Sequence, residues 1–234
     1  MVWKPRTILC LSIKTDKGCP VKNKLFASTI ITLTLITLAF FPFDSSADTL
    51  LDVPEIAQKH SQWCWAGSSE ATLEYYTTLV SQCDVANWAW GRSDCCGNSD
   101  FNWSHPCNQP NYMYGTSGGL QAILSHWGVN SNARAYALTF PTCVAEIEAG
   151  RPYVMRFGWT SGGGHFLVNY GYDETGYLDY MDPWPGHGYT RSLYSWVVSA
   201  SDHDWTHTLQ VTTNPPVWNL TVASANPDSG IPIT

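Results

Sequence analysis

Residues 58–66 read QKHSQWCWA, and they place a cysteine where a polar loop meets a helical pattern. A thiol at a helix N-terminus lies at the positive end of the helix dipole, which favours the thiolate form. Cys64 is therefore the candidate nucleophile of the chain. Bulky side chains recur after it at the spacing of one helix face, at Trp65, Leu73, Tyr76 and Val80.

The residues on either side of Cys64 suit the same chemistry. Gln58 lies six positions earlier, where a loop glutamine can direct its side-chain N–H toward developing oxyanion charge. The backbone N–H of Cys64 would be the second donor. We expect Trp65 to face inward and to shield the neighbouring ion pair from water.

A nucleophilic cysteine needs a base, and the base needs an orienting partner. Among the seven histidines of the chain, His165 is the best placed. It follows three glycines, 162–164, and opens the strand-like run HFLVNYGY. The glycines let the backbone approach a substrate closely, and the strand holds the imidazole on a rigid element. His165 is therefore the candidate base.

The orienting partner follows from hairpin geometry. A tight turn within residues 173–176 would set residue 182 opposite 165 or 167, on the same face as His165. Asp182 is then within reach of the imidazole ring. The rival, Asn169, lies four residues along the strand, roughly 13 Å away. Asp182 is the predicted partner.

The wider pattern has helices in the first half and antiparallel strands in the second, which predicts an α+β fold with two unlike halves. Besides the helix at Cys64, we expect one after 118–119 and a short one from Thr142, as N-cap, to Gly150. Residues 81–117 have the composition of a long loop. The expected strands span residues 153–159, 165–172, 177–182, 192–198 and 206–213.

The first 47 residues have the pattern of a secretory signal. Residues 25–43 carry no charge, two lysines precede them, and small residues end at Ala47, where we expect cleavage. The alternative is an uncleaved membrane anchor. A further hypothesis is that translation starts at Val21, so that residues 1–20 are not made. The expected organisation is thus a signal peptide at 1–47, one domain at 48–213, and a linker with the start of a further β segment at 214–234.

Composition narrows the classes of function. Residues 48–234 carry 6 Lys and Arg against 17 Asp and Glu, so the basic face that a nucleic-acid binder needs is missing.

The cysteines fit a secreted or periplasmic location, where an oxidising environment would let them pair. If Cys64 stays a thiol, five cysteines remain in residues 48–234, and two disulfides would leave one of them free, with Cys143 the candidate. The pairing itself stays open. Zinc ligation by the cluster at 95–107 is disfavoured, because companion ligands at suitable spacing are missing.

The ordered set Gln58, Cys64-Trp65, Gly-Gly-His165 and Asp182-Pro183 resembles the papain-like cysteine peptidases. It is most similar to their compact bacterial branches, the secreted plant-pathogen effector proteases and the bacteriocin-leader-processing peptidases. The resemblance implies a two-lobed fold and cleavage of peptide bonds through an acyl-enzyme. It assigns Cys64 as nucleophile, His165 as base, Asp182 as orienter and Gln58 as oxyanion donor. Larger papains use asparagine as the third member.

This interpretation needs no metal or organic cofactor, and it implies a monomer that acts on a peptide or protein substrate. Two alternatives stay open. The same three residues would serve a transglutaminase-like or wall-amidase enzyme, and the 11 tryptophans of residues 48–234 would suit an inactive secreted binding module. His203 and His207, four residues apart, are a weaker candidate for a metal site.

Overall fold

An antiparallel sheet forms the second half of the domain in the computed structural model, which describes residues 48–97 and 104–215. All the described residues belong to one compact unit. The expected signal peptide at 1–47 lies outside the described residues, as does most of the expected 214–234 segment.

Most helices lie in the first half of the described chain, and most strands lie in the second. In chain order they are β1 (Thr49–Leu50), α1 (Cys64–Tyr75), α2 (Gln82–Trp90), α3 (Leu120–His126), β2 (Ser131–Arg134), α4 (Phe140–Glu148), β3 (Tyr153–Trp159), β4 (His165–Tyr172), β5 (Tyr177–Asp182), β6 (Gly188–Leu193), α5 (Tyr194–Val198) and β7 (His203–Val211). The sheet order is β2-β7-β3-β4-β5-β6, and β1 pairs with β4. The α+β prediction is confirmed.

The hydrophobic core lies on both faces of this sheet. Every residue of β4 is buried, and successive side chains point to opposite faces. Phe166 and Val168 pack with the residues of α1 and α3, whereas Leu167 packs with those of α4 and α5. A strand covered on both faces reads as a continuous apolar run, which is the pattern that its sequence shows.

The strands that carry the candidate site agree with the prediction in full. β3, β4 and β5 have the expected bounds, and α1 and α3 begin where the pattern placed them. The N-cap predicted at Thr142 is wrong, because α4 begins at Phe140 after Thr139. Pro141 then lies in the first turn, where a missing N–H costs no intrahelical hydrogen bond.

Two further predictions are wrong. Residues 81–117 are not one long loop, because α2 forms within them. Ser81 caps this helix by accepting a hydrogen bond from the Asp84 backbone N–H, and Gly91 ends it in the left-handed conformation. The expected strand at 192–198 is instead the end of β6 followed by α5. Short apolar runs do not distinguish a strand from a helix.

The cysteine cluster forms two disulfides, Cys83–Cys96 and Cys95–Cys107. Cys83–Cys96 connects α2 to the segment that follows it, and Cys95–Cys107 joins two residues of the segment between α2 and α3. Cys64 and Cys143 are free thiols, as the sequence predicts, and Cys143 is buried in α4.

None of the helices in the described part of the chain combines the length and the apolar character that crossing a bilayer requires.

The two disulfides should stabilise the domain mainly by restricting its unfolded state. They close loops with sequence separations of 13 and 12 residues. Loops of this size predict a loss of about 3 kcal/mol in the free energy of unfolding for each bridge removed, or roughly 6–12 °C in Tm. Thermal unfolding of the Cys83→Ser/Cys96→Ser protein measures this. Reductant should have no further effect once all four cysteines are serine, and an unchanged Tm in the reduced wild type would contradict the prediction.

Candidate active site

Side-chain hydrogen bonds to backbone carbonyls of a neighbouring segment fix the start of α1. The indole N–H of Trp63 donates to the Cys107 carbonyl (2.7 Å), and that of Trp65 donates to the Gln109 carbonyl (2.9 Å). Both tryptophans are fully buried. Because Cys107 belongs to a disulfide, the first residue of α1 is anchored to a cross-linked segment. Cys64 therefore has a defined position, and its side chain is partly exposed.

A close approach brings the first turn of α1 to the end of β5. A Cβ on Gly67 would lie 3.0 Å from the Cβ of Pro183 and 3.6 Å from the backbone of Gln58. A larger residue at 67 would push these segments apart. Gly67 thus lets the helix that carries Cys64 pack beside the Asp182-Pro183 turn.

His165, at the start of β4, connects the two halves of the site. Its Nε2 lies 2.6 Å from Oδ1 of Asp182, and its side chain also interacts with that of Cys64. The ring of Trp159 stacks on it with a centroid distance of 6.2 Å. Only 8% of His165 is exposed, so water has little access to these contacts.

The charge state of His165 follows from these contacts. Burial alone lowers its pKa, but the interactions with Asp182 and Cys64, together with their charges, outweigh burial and raise the pKa of His165 to about 10. The imidazolium form is thus favoured in the folded protein. The stabilisation that the folded protein gains from the charged His165 is complete below the ordinary histidine pKa, and it is lost as the pH rises toward 10.

Asp182 accepts hydrogen bonds from three directions. Besides His165, the backbone N–H of Trp184 donates to its Oδ1 (2.8 Å), and Nδ1 of His187 lies 2.8 Å from its Oδ2. Burial raises the pKa of Asp182, but these hydrogen bonds and the His165 charge lower it below the ordinary value. The carboxylate is therefore held ionised, in one orientation.

The observed register agrees with the hairpin geometry that the sequence predicts. Val168 pairs with Met181, so Asp182 lies one position further on and reaches back to His165. Asn169 pairs instead with Tyr153 and Tyr180. It is fully buried, and its side-chain amide makes no hydrogen bond to another described residue.

Gln58 lies close to the site but makes other contacts than the expected one. Its Nε2 donates to the carbonyls of His60 (2.8 Å) and Ser61 (3.0 Å), and its backbone N–H donates to Pro183 O (2.7 Å). Both side-chain N–H groups are thus used within the loop, and the side chain is buried. In this conformation Gln58 shapes the turn before Cys64.

Two cavities meet at Cys64. The first, which we call the arginine cavity, has a volume of about 570 Å³, and the second, the histidine cavity, about 420 Å³. The arginine cavity is lined by Gln62, Cys64, Pro110, Asn111, Tyr112, Met113, Tyr114, Arg156, Gly163, Gly164, Phe166 and His207. The histidine cavity is lined by Ser61, Gln62, Cys64, Trp159, Gly162, Gly163, Gly164, His165, Asp182, Trp184 and His187.

Sequence reasoning missed three residues of these cavities. Gln62 lines both cavities beside Cys64, His187 binds the second oxygen of Asp182, and Arg156 lines the first cavity. For His187 the available signal was a second histidine five residues after Asp182, in the run DPWPGHG. Arg156 gave no local signal, because it lies inside an otherwise apolar strand.

The metal alternatives do not fit the described residues. A bulge between Arg156 and Phe157 shifts the register with β7, so that His207 pairs with Arg156, whereas His203 pairs with Trp159. The bulge thus places the two histidines on opposite faces of the sheet. The cysteines of the 95–107 cluster are consumed in disulfides.

Comparisons with known proteins bear on the family. No curated protein sequence matches significantly. Among solved structures, the peptidase domain of Streptococcus ComA, a bifunctional ABC transporter involved in a quorum-sensing pathway, is 13% identical with a TM-score of 0.48, over 70% of this chain and 99% of that one. The Streptococcus mutans ComA peptidase domain is 14% identical with a TM-score of 0.39, over 69% of this chain and 98% of that one. The Pseudomonas avirulence protein AvrPphB is 13% identical with a TM-score of 0.27, over 39% of this chain and 57% of that one.

The family assignment rests on the match of a whole-domain sequence profile. The profile of the Peptidase_C39 like family aligns with residues 50–211, which include every element from α1 to β7. The chain therefore belongs to the Peptidase_C39 like family, and it is a papain-like cysteine peptidase.

Proposed function

We propose that the chain is a secreted endopeptidase that hydrolyses peptide bonds through an acyl-enzyme on Cys64. The observation that carries this proposal is the buried His165, which contacts Cys64 on one side and lies 2.6 Å from Asp182 on the other. A nucleophile, a base and an orienting carboxylate in this order are the arrangement that covalent catalysis requires.

In the first step the Cys64 thiolate attacks the carbonyl carbon of the substrate, and the carbonyl oxygen takes up negative charge. The first N–H groups of a helix have no intrahelical partner, and Cys64 is the first residue of α1. Its backbone N–H is therefore a donor for the oxyanion. Gln58 can add a second donor if it releases the carbonyl of His60 or Ser61.

His165 then performs both proton transfers. As an imidazolium it protonates the leaving amine when the C–N bond breaks. The acyl group then remains bound to Cys64 as a thioester. As a neutral imidazole His165 next takes a proton from the water that attacks the thioester. Release of the new carboxylate restores the thiolate and the imidazolium. Asp182 does not transfer a proton in this cycle; it fixes the ring orientation and stabilises the positive charge.

Secretion is supported by the two disulfides, since such bonds persist in oxidising compartments. It is also consistent with the leader pattern at 1–47. We further propose that residues 48–213 form the peptidase domain and that it acts as a monomer on peptide or protein substrates.

The activated thiol should be detectable with a small epoxide at neutral pH, without reductant. Cys64 should be labelled rapidly, and His165→Ala should abolish this labelling. Cys143 provides an internal control, because burial raises the pKa of its thiol to about 12. Mass spectrometry locates and times the label. Equal labelling of the two cysteines, or a Cys64 that reacts at the same rate without His165, would contradict the proposal.

The third member of the site can be tested by comparing Asp182→Asn with Asn169→Ala. Asp182→Asn should lower kcat/KM by roughly 100-fold, because the imidazolium loses its counter-charge and its fixed orientation. Asn169→Ala should change kcat/KM far less, because Asn169 does not contact His165. Steady-state hydrolysis of a casein-derived peptide pool, with active sites counted by epoxide titration, gives both values. The reverse order of effects would exclude Asp182 as the orienter.

A further inference from the structure

Arg156 brings a positive charge into the cavity that contains the proposed nucleophile. It lies in the middle of β3, pairs with Phe166 and His207, and lines the arginine cavity together with Cys64. Nothing in the mechanism above uses this charge. Apart from the proposed Cys64 thiolate, none of the described residues that line this cavity is an anion, so an acidic ligand could supply the counter-charge.

The guanidinium is held in place by neutral oxygens. Nη1 donates to Oγ1 of Thr206 (2.9 Å), and Nη2 donates to the carbonyl of Gly163 (2.6 Å). These bonds occupy two of its five N–H groups. None of the carboxylates in the described part of the chain pairs with it, whereas Arg151 and Arg191 both do pair with carboxylates.

Two glycines make room for this position. A Cβ on Gly164 would lie 2.5 Å from Cζ and Nη2 of Arg156, and a Cβ on Gly158 would lie 3.1 Å from Nη1. A side chain at 164 would therefore displace the guanidinium. The glycine run before His165 thus has a second role besides backbone access. It leaves space for the Arg156 side chain next to β4, the strand that begins at His165.

Carboxylates do not neutralise Arg156 within its cavity. Its cavity has no Asp or Glu among the described lining residues. His207 lies beside it, and burial together with the charge of Arg156 lowers the pKa of His207. His207 is therefore neutral at neutral pH, and Arg156 supplies the positive charge of the cavity.

The position of His165 tells which part of the substrate enters this cavity. His165 must protonate the leaving amine, so the C-terminal part of the substrate departs on its side. His165 lines the histidine cavity and is not part of the arginine cavity. The residues that precede the scissile bond therefore extend into the arginine cavity.

We propose that Arg156 makes the enzyme selective for substrates with an acidic side chain among the last three residues before the cleaved bond. The inference rests on the proposed function and adds its substrate class. A Glu or Asp carboxylate would receive charge-assisted hydrogen bonds from the free N–H groups of Arg156. The negative net charge of the whole chain attracts basic partners at long range. The positive charge of Arg156 favours the opposite kind of side chain inside this cavity.

The test uses peptidyl epoxides that differ only in carrying Glu, Gln or Lys at one of these three positions. At the preferred position Glu should label Cys64 roughly ten-fold faster than the isosteric Gln, with Lys the slowest, and the advantage should shrink at high ionic strength. Arg156→Gln should abolish the preference, and Arg156→Lys should keep part of it. Arg134→Gln is the matched control, because Arg134 bonds Gln210 and does not line the cavity.

The outcomes separate the inference from the function on which it rests. Equal rates for Glu and Gln at all three positions in the unchanged protein would overturn the selectivity while leaving the nucleophile intact. A Glu preference that survives Arg156→Gln would also overturn it. Failure of every probe to label Cys64 would contradict the proposed function itself. The Glu and Gln comparison needs no variant, so it does not depend on how well a variant folds.

Discussion

The hydrogen bond between His165 and Asp182 joins the first residue of β4 to the last residue of β5, and the geometry of the site depends on it. The strand register brings the two residues together, and burial makes the bond strong because little water competes for either partner. Burial alone would leave the imidazole neutral. The carboxylate reverses that preference, and the resulting positive charge faces Cys64. The rest of the fold brings the N-terminus of α1 to that charge and holds it there.

Two devices keep α1 in position. Trp63 and Trp65 bury their rings, and their indole N–H groups bond a segment that is cross-linked through Cys107. Gly67 then permits close contact with the turn after Asp182. The nucleophile and the orienting carboxylate thus rest on packed backbone rather than on long side chains. Such support is what keeps reacting groups within a fraction of an ångström of their productive geometry.

The sequence was sufficient for the parts of the site that depend on local pattern. A two-residue period and a turn signal set the register that brings Asp182 to His165, and a helical stripe sets the start of α1 at Cys64. It was insufficient where tertiary contacts decide. α2 formed inside a cysteine-rich segment that has the composition of a loop, and the bulge that turns His207 toward Arg156 left no local signature. The bonds that hold the Gln58 amide, and the second histidine on Asp182, depend on how a loop closes in three dimensions.

The central claim is that the folded protein holds His165 as an imidazolium between Asp182 and Cys64. Nitrogen NMR of labelled histidines measures this directly, with His165 assigned through the His165→Gln protein. Because the folded structure raises the pKa of His165 to about 10, both ring nitrogens should stay protonated through neutral pH and lose a proton only near pH 10. Asp182→Asn should move that transition toward neutral pH. A ring that titrates near the ordinary histidine value, about 6.5, in the unchanged protein would contradict the account.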